Sequence, residues 1–183
     1  ILMASTYPSS IAEAVTWSKA NPSQKGDAAV TAVQDKKWDP SVMSLVAFPQ
    51  VLEMMGKKPD WVQKLGDAFL ENPNTVMDSA QKLRRKAKEE GNLKTTKEQT
   101  VTIEPPAEPS TSTTTVETST AQSIIVIEPV DPKVVYVPVY NPTIIYGTWW
   151  WPTYTPYYYR PYGYHYGSAI AAGIGFGIGV GIT

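Results

Sequence analysis

The sequence predicts an α+β protein: an N-terminal multi-helix domain, a small antiparallel β region, and an extended aromatic and Gly-rich C-terminal segment. Three observations predict it. Over residues 1–92, proline recurs behind residues that cap or break helices, at Asn21-Pro22, Asp39-Pro40, Lys58-Pro59 and Asn72-Pro73, which is the punctuation of short successive helices. After Thr95 the apolar spacing changes to period two, as strands require. Beyond Thr148, Trp, Tyr and Pro crowd together and then give way to glycines alternating with apolar residues. The chain therefore divides into a helical domain (1–92), a Ser/Thr/Pro-rich linker with a short strand (93–122), short strands (123–147), a Trp/Tyr/Pro-rich extended segment (148–166) and a Gly-rich apolar segment (167–183).

Within the helical part, Ser10-Ile11-Ala12-Glu13 has the capping-box pattern, in which hydroxyl and carboxylate each satisfy a free backbone donor. Ile11, Ala14 and Val15 then share one face. A second helix is expected from near Asp27, burying Ala29, Val30 and Val33. A third starts with Asp39 as cap and Pro40 at its first position, where the missing N–H costs nothing. Pro49 restarts the run, and Val51, Leu52 and Met55 carry it to Gly56, expected as a left-handed C-cap. Trp61, Leu65, Ala68 and Phe69 recur at helical spacing. The last helix spans about Asn74 to Glu90, with Gly91 just past its end. Lys82, Arg84, Arg85, Lys86 and Lys88 crowd its final turns, where each exposed cation gains about 0.3–1 kcal/mol from the helix dipole. The functional alternative for this basic run is a patch for anionic lipid or polysaccharide.

The phrases Val101-Thr102-Ile103-Glu104-Pro105 and Ile125-Val126-Ile127-Glu128-Pro129 resemble one another and are expected to pair as strands around the intervening Pro, Ser and Thr residues. Those residues are too polar to bury enough surface to offset their ordering entropy. Lys133 to Pro138 and Asn141 to Gly147 each place branched residues before a Tyr, with Asn141-Pro142 as turn material. A sheet of three or four short strands follows, docked on the helices or on a partner.

Trp149, Trp150 and Trp151 stand in a row, and Tyr154, Tyr157, Tyr158 and Tyr159 follow among Pro152, Pro156 and Pro161. Proline at that density forbids a regular helix and predicts an extended ribbon that displays rings. Three consecutive indoles cannot all face one small core, so some must meet a partner. In the final segment Gly173, Gly177 and Gly181 would form a small-residue ridge if helical, letting another helix approach in a membrane. If extended, all glycines face one way and the apolar residues the other. A soluble helix is disfavoured, because each Gly costs about 1 kcal/mol against Ala.

A formal net charge of -1 and a pI near 5.9 argue against nucleic acid, which needs a positive field. All but two of the Lys and Arg residues lie before position 101. The nearly uncharged, aromatic last third suits an interface, a sugar surface or a headgroup zone. Absence of cysteine excludes disulfides, thiolate metal sites and cysteine nucleophiles. The chain opens on Ile1 with no basic n-region before an apolar stretch, and reads as a fragment or a mature form.

The strings Trp17-Ser18-Lys19-Ala20-Asn21-Pro22, Gly26 to Val30, Trp38-Asp39-Pro40-Ser41-Val42 and Leu45-Val46-Ala47-Phe48-Pro49, with Leu65 to Phe69, Leu83 to Ala87, Val135-Tyr136-Val137-Pro138 and Gly147 to Trp151, resemble the bacterial family known as domain of unknown function 3300. The resemblance covers most of the chain outside the Ser/Thr linker. It implies an exported protein of a Gram-negative envelope, periplasmic or outer-membrane-associated, whose relatives carry a signal peptide and a further helical stretch. It implies no catalytic or binding residues.

Chemistry-bearing patterns are sparse. His165 has no second imidazole and no carboxylate beside it, and no metal or cofactor is expected. A Ser–Lys pair, as Ser18-Lys19 or Ser23 with Lys25, is disfavoured because adjacent residues on a helix point apart and lysines are common. Asp27, Asp35, Asp39, Asp60 and Asp67 form a pool from which a hydrolase would need two, held about 5–9 Å apart, but Asp39 and Asp60 sit where helix caps are wanted. Trp17, Trp38 and Trp61 fall once per helical unit and are expected to pack between helices. The sequence therefore predicts a non-catalytic structural or interaction protein, anchored or self-assembling through Trp149, Trp150, Trp151, Tyr154, Tyr157, Tyr158, Tyr159, Gly173, Gly177 and Gly181. Its partner is a membrane or another envelope component, or further copies in a homo-oligomer or filament. The alternatives are a carbohydrate or peptidoglycan binder using the Trp/Tyr ribbon, and an Asp-based hydrolase.

Overall fold

The structure is a computed structural model and describes residues 1–105, 123–159, 173–177 and 179–181. The Ser/Thr linker beyond Pro105, residues 160–172 with His165, and Ile178, Ile182 and Thr183 lie outside the described residues.

Proline at the first helical position sets most helix starts. The helices α2 (Pro8–Ala20), α4 (Pro40–Leu45), α5 (Pro49–Gly56), α6 (Pro59–Glu71) and α7 (Pro73–Glu89) all begin this way; α1 (Leu2–Ser5) and α3 (Gly26–Thr31) do not. Asp39 caps α4 through the Ser41 N–H, and Asn72 caps α7 through the Thr75 N–H. The capping box expected at Ser10 does not form, because Pro8 starts α2 two residues earlier. Glu13 instead accepts a 2.8 Å hydrogen bond from Nε1 of buried Trp38. Gly91, with φ of +71°, is the left-handed cap that ends α7, and the Asn92 and Leu93 N–H groups both return to the Ala87 carbonyl. Gly56 is not such a cap. It is the last residue of α5, and a methyl group there would fall 2.8 Å from Cγ1 of Val15 on α2.

Ile11, Ala14 and Val15 of α2 meet Val42, Leu45, Val51, Leu52 and Met55 in the first core, with Ala29, Val33, Trp38 and Val62 closing it. On α6 the inward stripe is Val62 and Gly66, one residue on from the expected stripe, and Trp61 is 43% exposed. The crossing with α1 decides this, since a Cβ at Gly66 would overlap the Ser5 carbonyl, so only glycine lets the two backbones approach.

Strands β1 (Gln99–Glu104) and β2 (Ile124–Pro129) pair antiparallel in the register Val101 opposite Ile127 and Ile103 opposite Ile125, as the similar phrases predicted. The remainder is not one sheet. β3 (Val134–Val135) and β4 (Pro138–Val139) precede α8 (Pro142–Ile145), a helical turn capped by Asn141 where turn and strand were expected. Their partners come from the Gly-rich end: β5 (Gly175–Phe176) pairs with β4, and β6 (Val180–Gly181) with β3. The described β structure is thus three two-stranded antiparallel ladders.

A second core, of Ala87, Leu93, Ile125 and Ile145, joins α7 to the ladders. Its polar fastening is Gln81. Its amide accepts from the Ile125 N–H at 3.0 Å and donates to the Ile125 carbonyl at 3.2 Å, and Arg84 Nη1 adds a second donor to that carbonyl at 2.8 Å. Replacing Gln81 by Leu strands the part-buried Ile125 N–H, and is expected to lower unfolding stability by about 1–3 kcal/mol in a urea titration. A Cβ at Gly179 would lie 2.5 Å from Val134 Cγ1 and 2.8 Å from a Tyr136 ring carbon. Gly179→Val is therefore expected to release β6, seen as faster amide hydrogen exchange at Val135, with the helical core unchanged.

Candidate functional site

The aromatic segment starts immediately after α8 and Gly147, and Trp149 organises it. Its Nε1 donates to the Trp151 carbonyl at 3.0 Å and to the Tyr154 carbonyl at 2.6 Å. The Tyr154 N–H returns to the Trp151 carbonyl at 3.1 Å, with Pro152 and Thr153 at the corner; proline at that position pre-sets the turn. The expected open ribbon therefore begins as a tight turn closed on an indole, and residues 155–159 carry no regular secondary structure.

This turn sorts the rings. Trp149 stacks between Tyr146, at 6.2 Å, and Trp150, at 4.9 Å between centroids. Trp150 lies against α7, with Lys82 Nζ 5.9 Å from its ring. Trp151 and Tyr154 stand outward, 51% and 66% exposed, their rings perpendicular at 5.8 Å. Tyr157 is half exposed beneath Lys58, whose ammonium sits 5.1 Å from the ring centre. The Tyr158 hydroxyl lies 3.1 Å from Thr143 Oγ1. The Tyr159 hydroxyl is buried without a hydrogen-bond partner among the described residues, as is Nε1 of Trp150. The segment is a strap from α8 to the α5–α6 junction, with one face docked and Trp151, Tyr154 and Tyr157 presented outward.

Two concavities flank α7. One is an apolar cleft of about 420 Å³, walled by Leu83 and Ala87 of α7, Ile127 of β2, Tyr136, Ile145 and Phe176. Tyr140 and Tyr146 share a 3.0 Å hydroxyl contact at this cleft, and burial, followed by the neighbouring Tyr140, pushes the Tyr146 phenol upward. The other, of about 370 Å³, is lined by Lys82, Arg85, Lys86, Glu89, Thr148 and Trp150. The basic run on the helix is legible in the sequence, but the wall that makes it a groove, Thr148 and Trp150, comes from the segment beyond α8.

The other predicted residues separate. Gly173, Gly177 and Gly181 form no helical ridge: Gly181 pairs with Val134 in β6, and the Gly177 N–H reaches the Val137 carbonyl at 3.4 Å. No helix among the described residues is long and apolar enough to cross a membrane. Of the aspartate pool, Asp39 is held by Ser41 Oγ at 2.5 Å and Ser41 N–H at 2.9 Å, which keep its carboxyl below the usual range. Asp60 lies in the first turn of α6, and Asp67 accepts from Gln63 at 2.8 Å. Among the described residues, no group of three or more His, Cys, Asp or Glu side chains gathers to hold a metal ion.

The comparisons place the chain by sequence. A family described as "Protein of unknown function (DUF3300)" matches residues 1–183. This chain belongs to the DUF3300 family. Within reach of this DUF3300 chain is the uncharacterized protein YacH of Escherichia coli (strain K12), 49% identical over 176 residues. That match takes in 88% of this chain but spans only 28% of the relative's length. No solved structure matches the chain.

Burial, then the charges of Glu53 and Tyr157, push the Tyr159 phenol from 10.0 up to about 12. A phenol raised on folding stabilises the native state fully below its unfolded value. Stability is therefore expected to fall as pH rises from about 10 to about 12. Tyr159→Phe removes an unpartnered hydroxyl. It is expected to leave the urea midpoint at neutral pH unchanged or higher, and to remove one phenolate from the absorbance that rises near pH 12.

Proposed function

We propose that this is a non-catalytic interaction protein of the bacterial cell envelope, periplasmic or outer-membrane-associated, which attaches to the headgroup layer of a membrane through its aromatic strap. The observation that carries this reading is the sorting of the rings: Trp149, Trp150 and Tyr159 are spent on docking, while Trp151, Tyr154 and Tyr157 remain half or more exposed on a fastened support. Amphipathic rings with one polar edge partition to the boundary between headgroups and hydrocarbon. Lys58 beside Tyr157 adds a cation of the kind anionic surfaces attract. In this reading the Gly-rich end is a fastener, because β5 and β6 tie the chain beyond the strap to β4 and β3.

A second reading, a carbohydrate or peptidoglycan binder, is favoured by the perpendicular Trp151–Tyr154 pair, which offers a flat face and an edge to a sugar ring. The two are separated by one variant, Trp151→Ala/Tyr154→Ala/Tyr157→Ala. It is expected to lower co-flotation with envelope-lipid vesicles by about tenfold or more, since even partial burial of three rings is worth well over about 1 kcal/mol. Unchanged flotation with lost retention on purified cell wall transfers the function to sugar recognition, and no change in either assay removes the strap from the interaction.

A further inference from the structure

The groove beside the strap has a charge pattern that the helix alone does not explain. Lys82, Arg85 and Lys86 line it with Glu89 as the one carboxylate among the described lining residues. Lys86 is engaged by Glu90 at 2.9 Å. Neither Lys82 nor Arg85 has a carboxylate within ion-pair reach among the described residues, although Glu89 stands on the same helix and lines the same groove. A solvated helix face would present these cations on a convex surface. Here Thr148 and Trp150 line the helix face as well, which turns it into a concavity of about 370 Å³. Lys82 Nζ lies 5.9 Å from the Trp150 ring centre, at the outer edge of cation–π reach. Trp150 is also followed directly by outward-facing Trp151, so the groove adjoins the residue that would enter a headgroup layer.

We propose that this groove holds the phosphate of an anionic lipid headgroup, with Lys82 and Arg85 as counter-charges, the Thr148 hydroxyl as a neutral donor and the Trp150 face as the wall. Charge complementarity selects an oxyanion. The neighbouring exposed rings select one carried on a membrane over one free in solution. This inference rests on the headgroup-layer reading and adds a lipid class to it.

The test is flotation of the full chain with vesicles of phosphatidylcholine alone or mixed with phosphatidylglycerol. The native chain is compared with Lys82→Gln/Arg85→Gln and with Lys19→Gln/Lys25→Gln, which removes equal charge from α2 and the loop after it. The groove variant is expected to lose about tenfold or more of the preference for anionic vesicles, and the control pair to keep it. On the native chain, titration with short-chain phosphatidylglycerol is expected to move the Trp150 indole N–H resonance, a readout that needs no variant to fold. Equal loss in both variants, or release of the native chain from anionic vesicles by millimolar inorganic phosphate, overturns the proposal. If the groove variant binds like the native chain while the variant lacking Trp151, Tyr154 and Tyr157 fails, the strap reading stands and the groove falls. If the native chain floats with neither vesicle, both fall.

Discussion

Ile125 turns its backbone N–H and C=O toward α7 rather than toward a neighbouring strand, and the Gln81 side chain answers both groups as another strand would. A primary amide carries one acceptor and two donors in one plane, so it can close such a pair where a helix backbone, with its own groups already engaged, cannot. Arg84 adds a donor to the same carbonyl from the next turn. This clamp fixes the β1–β2 ladder on α7, and the second core of Ala87, Leu93, Ile125 and Ile145 forms around it. Both concavities, the placement of α8 and the origin of the aromatic strap depend on that one junction.

From the junction outward, short contacts between distant segments replace continuous secondary structure. Asn92, just past the Gly91 cap, donates to the carbonyls of Ile144 and Ile145 and so closes α8. The Glu90 carboxylate lies beside Gly147, where a methyl group would meet its Cδ at 2.6 Å, so the chain passes close to the end of α7 before entering the strap. β3 and β4 are two residues long and have partners only because the Gly-rich end returns to them. Ladders so short are marginal by themselves. They persist as part of a structure already held by the two cores.

The helical domain was largely legible in the sequence. Proline at the first turn excludes an interior helical position, and Asp39, Asn72 and Gly91 have local jobs that short-range chemistry dictates. The β1–β2 pairing was legible for the same reason, because two similar phrases with alternating apolar residues have one register that buries Ile125. Gly56 and Trp61 were misread through contacts with remote helices, Val15 close to Gly56 and the α1 crossing at Gly66 turning Trp61 outward, and Ser10 because Pro8 starts α2 two residues earlier and leaves Glu13 to Trp38.

The sequence by itself determined what the chain is made of: a helical body with prolines at its joints, a strand pair, and a strap too rich in rings and proline to be helix. It also determined the local signals, since caps, turns and apolar periods act within a few residues. Only the tertiary structure decided which rings dock and which face outward, that the glycines serve a strand instead of a helical ridge, and that the basic run on α7 is one wall of a groove. Those outcomes depend on contacts between segments far apart in the chain, where the same indole or glycine has an equally good local alternative and packing selects between them.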